Sequence, residues 1–576
     1  MILQALTALY EDLVRRGTLD RPGWSLARIS YALCLDEDGT LIQVVPTFEE
    51  VDNGKKTVLR PQQMTLPAAV KRSSGVASNF LWDNSSYLLG VDEKGKPERS
   101  LKCFEACREL HRELLGTVET PTAKAIISFF DRWEPSKAAE YPALQADLEK
   151  IIGAANLVFR VNGEYAQQDE RIAAAWQTYY ESGDAEEGRC LITGRMDQIE
   201  ATHPSIKGVD GAQSSGAALV SFNAPAFCSY GHEQNYNAPI GKYAAFAYTA
   251  ALNYLLSDRN NVNKIGDTTV VCWAEGADPV YQKTFCDFLF GQPQMPDFSE
   301  QDLRDTVKRL AAGLPAEELA LDPDRQFYIL GLSPNAARLS VRFFYRSSFG
   351  ALLKNVNAHY KRMEIVRPSY EKYDLVPLWV LLRETVNQRS KDKAASPVMA
   401  GALARAIFSD TLYPAALLEN AMLRIRSERD INCRKAAIIK AYYLKNHNSE
   451  CPKEVLTVSL NEESSNPAYV LGRLFAIYEA VQEAANPGIN TTIKDRFLNS
   501  AAATPATIFP ILDNLYQKHL RKLSEAQKVF YDKQTTELKG RLSDAYPVRQ
   551  SLPQQGSFNL GYYHQLQKRY EKKESK

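Results

Sequence analysis

The chain has 576 residues, more than one core normally holds, so two or three domains are expected, and 45% apolar content is ample to pack them. Lysine plus arginine and aspartate plus glutamate each number 69, which excludes a global positive field, so any polyanion partner must be held by locally segregated charge. Nine cysteines without a Cys-x-x-Cys pair argue against a disulfide framework, the first residues lack a basic leader, and the longest apolar run, near Ala244 to Leu256, is too short to span a bilayer; a soluble cytoplasmic protein with no membrane partner is expected.

Residues 2–15 place Leu3, Leu6, Leu9, Leu13 and Val14 on one helical face, and Ile29 to Val45 reads as a hairpin turning at Asp38-Gly39. A polar stretch from Asp52 to Ser78 follows, then a short apolar strand around Tyr87 to Val91, and helices near 99–115, 121–132 and 167–181. Strands are predicted at 190–193, 218–222, 269–273 and 327–345. In the last of these the chain alternates from Ala337 to Arg346. Leu339, Val341, Phe343 and Tyr345 fall on one face, and Arg338, Ser340, Arg342, Phe344 and Arg346 on the other. An arginine row interleaved with an aromatic suits phosphate pairing and base stacking, and it equally suits ion pairing with carboxylates of a neighbouring element.

After about residue 350 helical patterns dominate. Tyr469 to Ala485 and Ile508 to Leu523 are amphipathic, with Thr504-Pro505 as a helix start, Pro510 as a bend or restart, and Lys518, Arg521 and Lys522 off the apolar face. The segment Tyr562 to Lys576 reads as solvated or disordered, and residues 501–576 carry 13 Lys/Arg against 7 Asp/Glu. The fold class is therefore α+β: a mixed α/β N-terminal region over 1–350 with a candidate subdivision near 185, a connecting segment over 351–395, and a helical bundle over 396–576.

No catalytic signature emerges. Gly90 to Lys96 has phosphate-loop spacing, but Pro97 stands where the magnesium-binding hydroxyl belongs, and Lys94-Gly95 is better explained as a hairpin turn. Seven histidines never pair at helical spacing, no Gly-x-Ser-x-Gly elbow occurs, and Cys103 with Cys107 lacks a second ligand pair, so neither metal nor cofactor is expected. Two stretches are rich in small and amide residues. One is Lys71, Arg72, Ser73 and Ser74 through Asn79 to Asn84, and the other Lys207 through Gln213, Ser214 and Ser215 to Gly216. Such loops let a backbone approach a duplex and offer amides to base edges; the plainer reading is two long surface loops.

Those stretches also carry a resemblance. Arg72 to Gly90, Cys190 to Gly194, His203 to Val209, Gly211 to Asn223, Ser229 to Gly231, Asn237 to Pro239, Leu330 to Arg338, Tyr469 to Ala476 and Ala503 to Thr507 together make the chain similar to the large subunit of the type I-C CRISPR Cascade surveillance complex. Trp82 stands where a smaller residue is expected.

The resemblance implies a non-catalytic subunit that recognises the protospacer-adjacent motif in target double-stranded DNA and promotes R-loop formation while a guide CRISPR RNA reads the sequence. It further implies contact with the displaced single strand, Cascade backbone and RNA-processing subunits, and a separate helicase-nuclease. A small helical subunit made by internal initiation is implied too, for which Met399 and Met422 are in-frame candidates. The residues expected at DNA are Lys71, Arg72, Ser73, Ser74, Asn79, Asn84, Lys207, Gln213, Ser214, Ser215, Arg338, Arg342 and Arg346, with Lys518, Arg521 and Lys522 at the displaced strand. A nucleic-acid hydrolase with an unrecognised carboxylate site and a purely structural scaffold are the competing readings.

Overall fold

The computed structural model describes every residue except 53–56, 71–74, 94–96, 154, 183–185, 260–261, 291–299, 315–320, 372, 374, 392–394, 544 and 571–576. The predicted Lys71–Ser74 contacts, the Lys94-Gly95 turn and the last six residues of the tail lie outside the described residues. The chain divides into two compact units, one of Leu3–Pro204 with Ser221–Ala251, the other of Ser205–Val220 with Leu252–Lys576. The mixed α/β part followed by helices is the α+β arrangement expected.

In the first unit, α1 (Ile2–Arg15) buries Leu6, Leu9, Tyr10 and Leu13, the face its periodicity marks. Strands β1 (Trp24–Ile29), β2 (Tyr31–Leu35), β3 (Leu41–Pro46), β4 (Phe48–Asp52) and β5 (Thr57–Pro67) follow. The β2–β3 hairpin turns where expected, with Gly39 at φ +83° and the Asp36 carboxylate accepting the Thr40 N–H at 2.8 Å. β4 and β5 form an antiparallel hairpin, so the stretch that reads only as polar contains the strand β5, which also pairs β1.

Strand β6 (Trp82–Asn84) and the short helix α2 (Ser85–Leu88) replace the strand predicted at 87–91: a five-residue apolar run is too short to fix a period, and here it forms a buried turn. Helices α3 (Pro97–Leu115), α4 (Pro121–Arg132), α5 (Pro142–Gln145) and α6 (Leu148–Ile152) lead to β7 (Asn156–Val161), which pairs parallel to β2 and antiparallel to β6 and β8 (Glu164–Tyr165). Then come α7 (Glu170–Glu181), β9 (Glu187–Arg189) and β10 (Met196–Gln198). Residues 190–193, expected as strand, are the turn joining β9 and β10, because Gly194 adopts φ +72° and its N–H bonds the Cys190 carbonyl.

In the second unit, α8 (Lys242–Ser257), whose last turns belong here, precedes a sheet of order β11 (Asn263–Ile265), β12 (Thr268–Ala274), β13 (Gln326–Asn335) and β14 (Arg338–Ser348). Between β12 and β13 lie α9 (Pro279–Phe290) and α10 (Glu300–Ala311). The strand predicted over 327–345 is thus a hairpin, turning at Ala336 with φ +53°. Residues 218–222 form only an isolated bridge rather than a strand.

Helices α11 (Phe349–Met363), α12 (Leu378–Arg383), α13 (Pro397–Phe408), α14 (Ala415–Glu428), α15 (Cys433–Asn446), α16 (Pro467–Ala485), α17 (Ile493–Ala503), α18 (Pro505–Leu520), α19 (Glu525–Lys539) and α20 (Leu552–Tyr570) complete the unit. Its core runs from Ile265 to Tyr563, so sheet and helices share one interior across residue 350. α18 continues through Pro510 without restarting.

The segment from Tyr562 that reads as solvated is instead the last part of a buried helix. Phe558, Leu560, Tyr562 and Tyr563 enter the core, the Tyr562 hydroxyl donates to the Glu479 carboxylate at 2.5 Å, and the Tyr563 hydroxyl donates to the Val366 carbonyl at 2.6 Å. α20 crosses α16 at backbone contact: a Cβ on Gly472 would lie 2.0 Å from the Phe558 carbonyl oxygen, and one on Gly561 2.1 Å from that of Tyr469. No described helix is long and apolar enough to cross a membrane.

Candidate nucleic-acid interface

Residues 205–220 leave the first unit's chain and build a loop on the sheet of the second. Asn253, on α8, holds its base twice: its Oδ1 accepts the Lys207 N–H at 2.8 Å, and its Nδ2 donates to the Ser205 carbonyl at 3.1 Å. Ile206 and Ala217 exchange two backbone hydrogen bonds of 2.9 Å, which closes the loop. Gly216 permits that closure: it adopts φ +100°, and a Cβ there would lie 2.8 Å from Ser205 Cβ.

Further along, Val209 is buried and the Asp210 N–H donates to Thr269 Oγ1 at 3.0 Å. Ala218 then bonds β14 on both sides, donating to the Ala337 carbonyl at 3.0 Å and accepting from the Leu339 N–H at 2.9 Å. The tip carries Gln213, Ser214 and Ser215, all exposed, and with Lys207 their side chains make no hydrogen bond or ion pair among the described residues. The loop is fixed at its base and flanks, with its polar groups left open.

The arginine strand differs from its predicted pattern. Gly331 pairs with Phe343 while Leu332 pairs with Val341, so Arg342 is an extra, unpaired residue and β14 carries a bulge. Paired residues share a face, and one inserted residue inverts the alternation beyond it. Arg338 and Ser340 therefore lie on the face of Phe343 and Tyr345, while Phe344 and Arg346 lie on the opposite one with Leu339 and Val341. The predicted single row is split.

On the second face Trp273, Tyr328 and Phe344 stack, with ring centroids 5.2 Å and 6.1 Å apart, and the Arg346 guanidinium lies 5.9 Å from the Tyr328 ring while donating to Gln326 at 3.1 Å. Arg342 reaches Asp267 at 3.2 Å, and Lys264 reaches Asp210 at 2.5 Å. The Gly266-Asp267 turn between β11 and β12, invisible as a site in the sequence, thus supplies a counter-ion to the predicted arginine. The loop and the β14 strand meet at one sheet edge, as the bridge between Ala218 and Arg338 records.

Asn79 and Asn84 occupy a different setting in the first unit. Asn79 is buried, its Oδ1 accepts the Val70 N–H at 3.0 Å, and its own N–H donates to Asp83 at 2.9 Å. The other Asp83 oxygen accepts the Asn84 N–H at 2.8 Å, and Asn84 caps α2 by accepting from Ser86 at 3.0 Å.

Leu81, at φ +67°, donates its N–H to His111 Nε2 at 2.9 Å, and His111 Nδ1 bonds the Cys107 carbonyl at 2.8 Å. Burial holds the His111 imidazole neutral, with its pKa lowered to about 4. Trp82 fills its buried place with an indole N–H donating to the Pro67 carbonyl at 2.7 Å. The structure thus assigns the amides of Asn79 and Asn84 to shaping this segment rather than to an open surface.

The sequence profile of the Cas_Csd1 family, described as a CRISPR-associated protein, matches residues 6–570. The chain belongs to the Cas_Csd1 family. That match supports a CRISPR-associated subunit of the Cascade type. No curated protein matches the chain.

Several stretches by which this Cas_Csd1 chain is recognised have structural work to do. Gly472 makes the close helix crossing, and the neighbouring Arg473 is buried, donating to the Glu462 carbonyl at 2.9 Å and to Gln565 at 3.0 Å. Lys518, Arg521 and Lys522 end α18 and begin the next turn, all exposed, with Lys522 donating to Asn486 at 3.0 Å. Among the described residues no cluster of His, Cys, Asp and Glu has metal-binding geometry.

Proposed function

We propose that this Cas_Csd1 protein is the large subunit of a type I-C Cascade complex and that it recognises the protospacer-adjacent motif through the 205–220 loop without cleaving DNA itself. The observation that carries this reading is the pinned loop with an open tip: Gln213, Ser214 and Ser215 are exposed, with no side-chain partner among the described residues, above a base fixed by Asn253, Thr269 and β14. A loop ordered before it meets its ligand loses little conformational freedom on binding. A glutamine amide and two hydroxyls can read base edges, while Lys207, Arg342 and Arg346 pair with phosphates. The guide CRISPR RNA then pairs with the opened strand, and a helicase-nuclease acts on the displaced one.

The test uses the assembled complex carrying Gln213→Ala, Ser214→Ala and Ser215→Ala together, on targets that differ only in the flanking motif. Loss of preference by about 1 to 3 kcal/mol per lost base contact is expected. Unchanged preference removes the loop from motif recognition. Incubating the purified chain with labelled DNA and magnesium addresses the hydrolase alternative, and site-specific cleavage by the chain alone would establish it.

A further inference from the structure

Ahead of α8 the first unit carries a surface loop, residues 223–237, that the DNA-reading role of 205–220 leaves unused. Its base is tied down: Asn235 is buried, and its N–H donates to the Ala201 carbonyl at 3.2 Å. One side chain braces the tip. Asn237 accepts the Ser229 N–H through Oδ1 at 2.8 Å and donates through Nδ2 to the His232 and Gln234 carbonyls at 3.0 Å and 2.9 Å. Across the tip the His232 N–H donates to the Ser229 carbonyl at 3.0 Å, and the two residues between, Tyr230 and Gly231, have φ of +54° and +78°. Positive φ at both central positions makes this a type I′ turn, whose favoured pair is Asn-Gly.

Tyr230 is therefore out of place by local rules. A bulky side chain is disfavoured in the left-handed region, where asparagine is tolerated. The fold gives the ring nothing in return: Tyr230 is 98% exposed and makes no ring contact or side-chain hydrogen bond among the described residues. Scattered exposed apolar side chains are ordinary on protein surfaces. Here, however, the ring stands at the apex of a braced turn against the turn's own preference, so what it contributes lies outside the chain.

The charge of the loop decides what it meets. Residues 223–237 contain no lysine or arginine, and Glu233 is their carboxylate. A nucleic-acid contact draws much of its affinity from cations at phosphates, which this loop lacks. The core of a protein interface has the matching composition, with charge depleted and tyrosine enriched, and Phe227, 41% exposed, adds apolar surface three residues earlier. A fixed backbone presenting a side chain with two rotatable bonds also loses little freedom on docking.

We infer that the Tyr230 turn is a docking knob for another protein of the Cascade-type complex, its ring entering an apolar pocket on that protein and its hydroxyl donating to an acceptor at the pocket's end. This rests on membership of such a complex, which the family match supports, and not on the 205–220 loop.

The experiment co-expresses the full-length chain with the other proteins and guide RNA of its complex. It compares Tyr230→Asn, Tyr230→Ala and Tyr230→Phe by native mass spectrometry and by gel filtration on dilution. Tyr230→Asn should melt no lower than the parent chain, yet leave the particle at a concentration about tenfold higher. Tyr230→Ala should dissociate as readily, and Tyr230→Phe should fall between. Particles that assemble with Tyr230→Asn should keep their flanking-motif preference, whereas the triple change at Gln213, Ser214 and Ser215 should alter preference and spare assembly, so the two readings fail separately. Unchanged assembly of both Tyr230→Asn and Tyr230→Ala overturns the inference. A lower melting temperature of Tyr230→Asn overturns it in favour of a structural ring, and intact assembly with weakened DNA binding in favour of a nucleic-acid contact. A concentration-dependent dimer of the parent chain that Tyr230→Asn lacks overturns it in favour of a second copy.

Discussion

Two segments of similar composition, Phe80 with its flanking Asn79 and Asn84, and the 205–220 loop, have opposite fates. Both are dense in small, amide and hydroxyl residues. In the first, Asp83 and His111 lie within reach and accept the backbone N–H groups of Asn79, Leu81 and Asn84, while the Asn79 and Asn84 amides accept from Val70 and Ser86. In the second, Asn253 and Thr269 bind only the base, and the tip remains open. A polar segment becomes a surface or a scaffold according to whether a buried partner stands opposite it, and that partner is usually remote in sequence.

Breaking the inward segment should give the largest effect. His111→Ala removes the acceptor of the Leu81 N–H and a ring packed against Phe80 and Phe130, and it should lower unfolding stability by about 3 kcal/mol or more in urea titrations. The pH dependence should be nearly as large. The folded pKa near 4 lies below the ordinary value of 6.5, so the stabilisation is complete above pH 6.5 and is lost as pH falls through 4; this one group accounts for about 3 kcal/mol. His203, His359 and His564, also buried with lowered pKa values, act in the same direction. Calorimetric melts between pH 7 and 4 check the slope, and a flat profile would show that His111 is not held neutral.

The outward loop should behave in reverse. The triple alanine change at Gln213, Ser214 and Ser215 should alter stability by less than about 0.5 kcal/mol while changing motif preference, because no intramolecular bond is removed. A large loss of stability would erase the contrast between the two segments. Smallest of all is Arg342→Ala. Its pair with Asp267 is about 40% exposed on both sides, so the stability cost should be about 0 to 1 kcal/mol. Its effect should show as a slope of log affinity against log salt reduced by about 1 in filter-binding or anisotropy titrations.

Much of the fold was legible because periodicity is local: α1, α3, α4 and the amphipathic α16 and α18 fall where their apolar spacing puts them. What was not legible depended on partners. The β14 alternation is present in the sequence, but the extra residue at Arg342 is defined only against Gly331 and Leu332 of β13.

Likewise the segment from Tyr562 reads as solvated, although His564 is buried in α20 with its Nδ1 hydrogen-bonded to the Tyr469 hydroxyl at 2.8 Å, a partner 95 residues away. Of the predicted site, Lys207, Gln213, Ser214 and Ser215 belong to the loop that meets the β14 strand at one edge, Asn79 is buried and Asn84 half-buried in the first unit, and Lys518, Arg521 and Lys522 lie at the end of α18.

The α16–α20 crossing has a consequence for how this sequence can drift. With carbonyl oxygens about 2 Å from where a Cβ would sit, Gly472 and Gly561 are expected to refuse even alanine. A deep mutational scan of the helical part should therefore show two isolated positions where every replacement is lethal to expression, set among core neighbours that accept swaps of similar bulk.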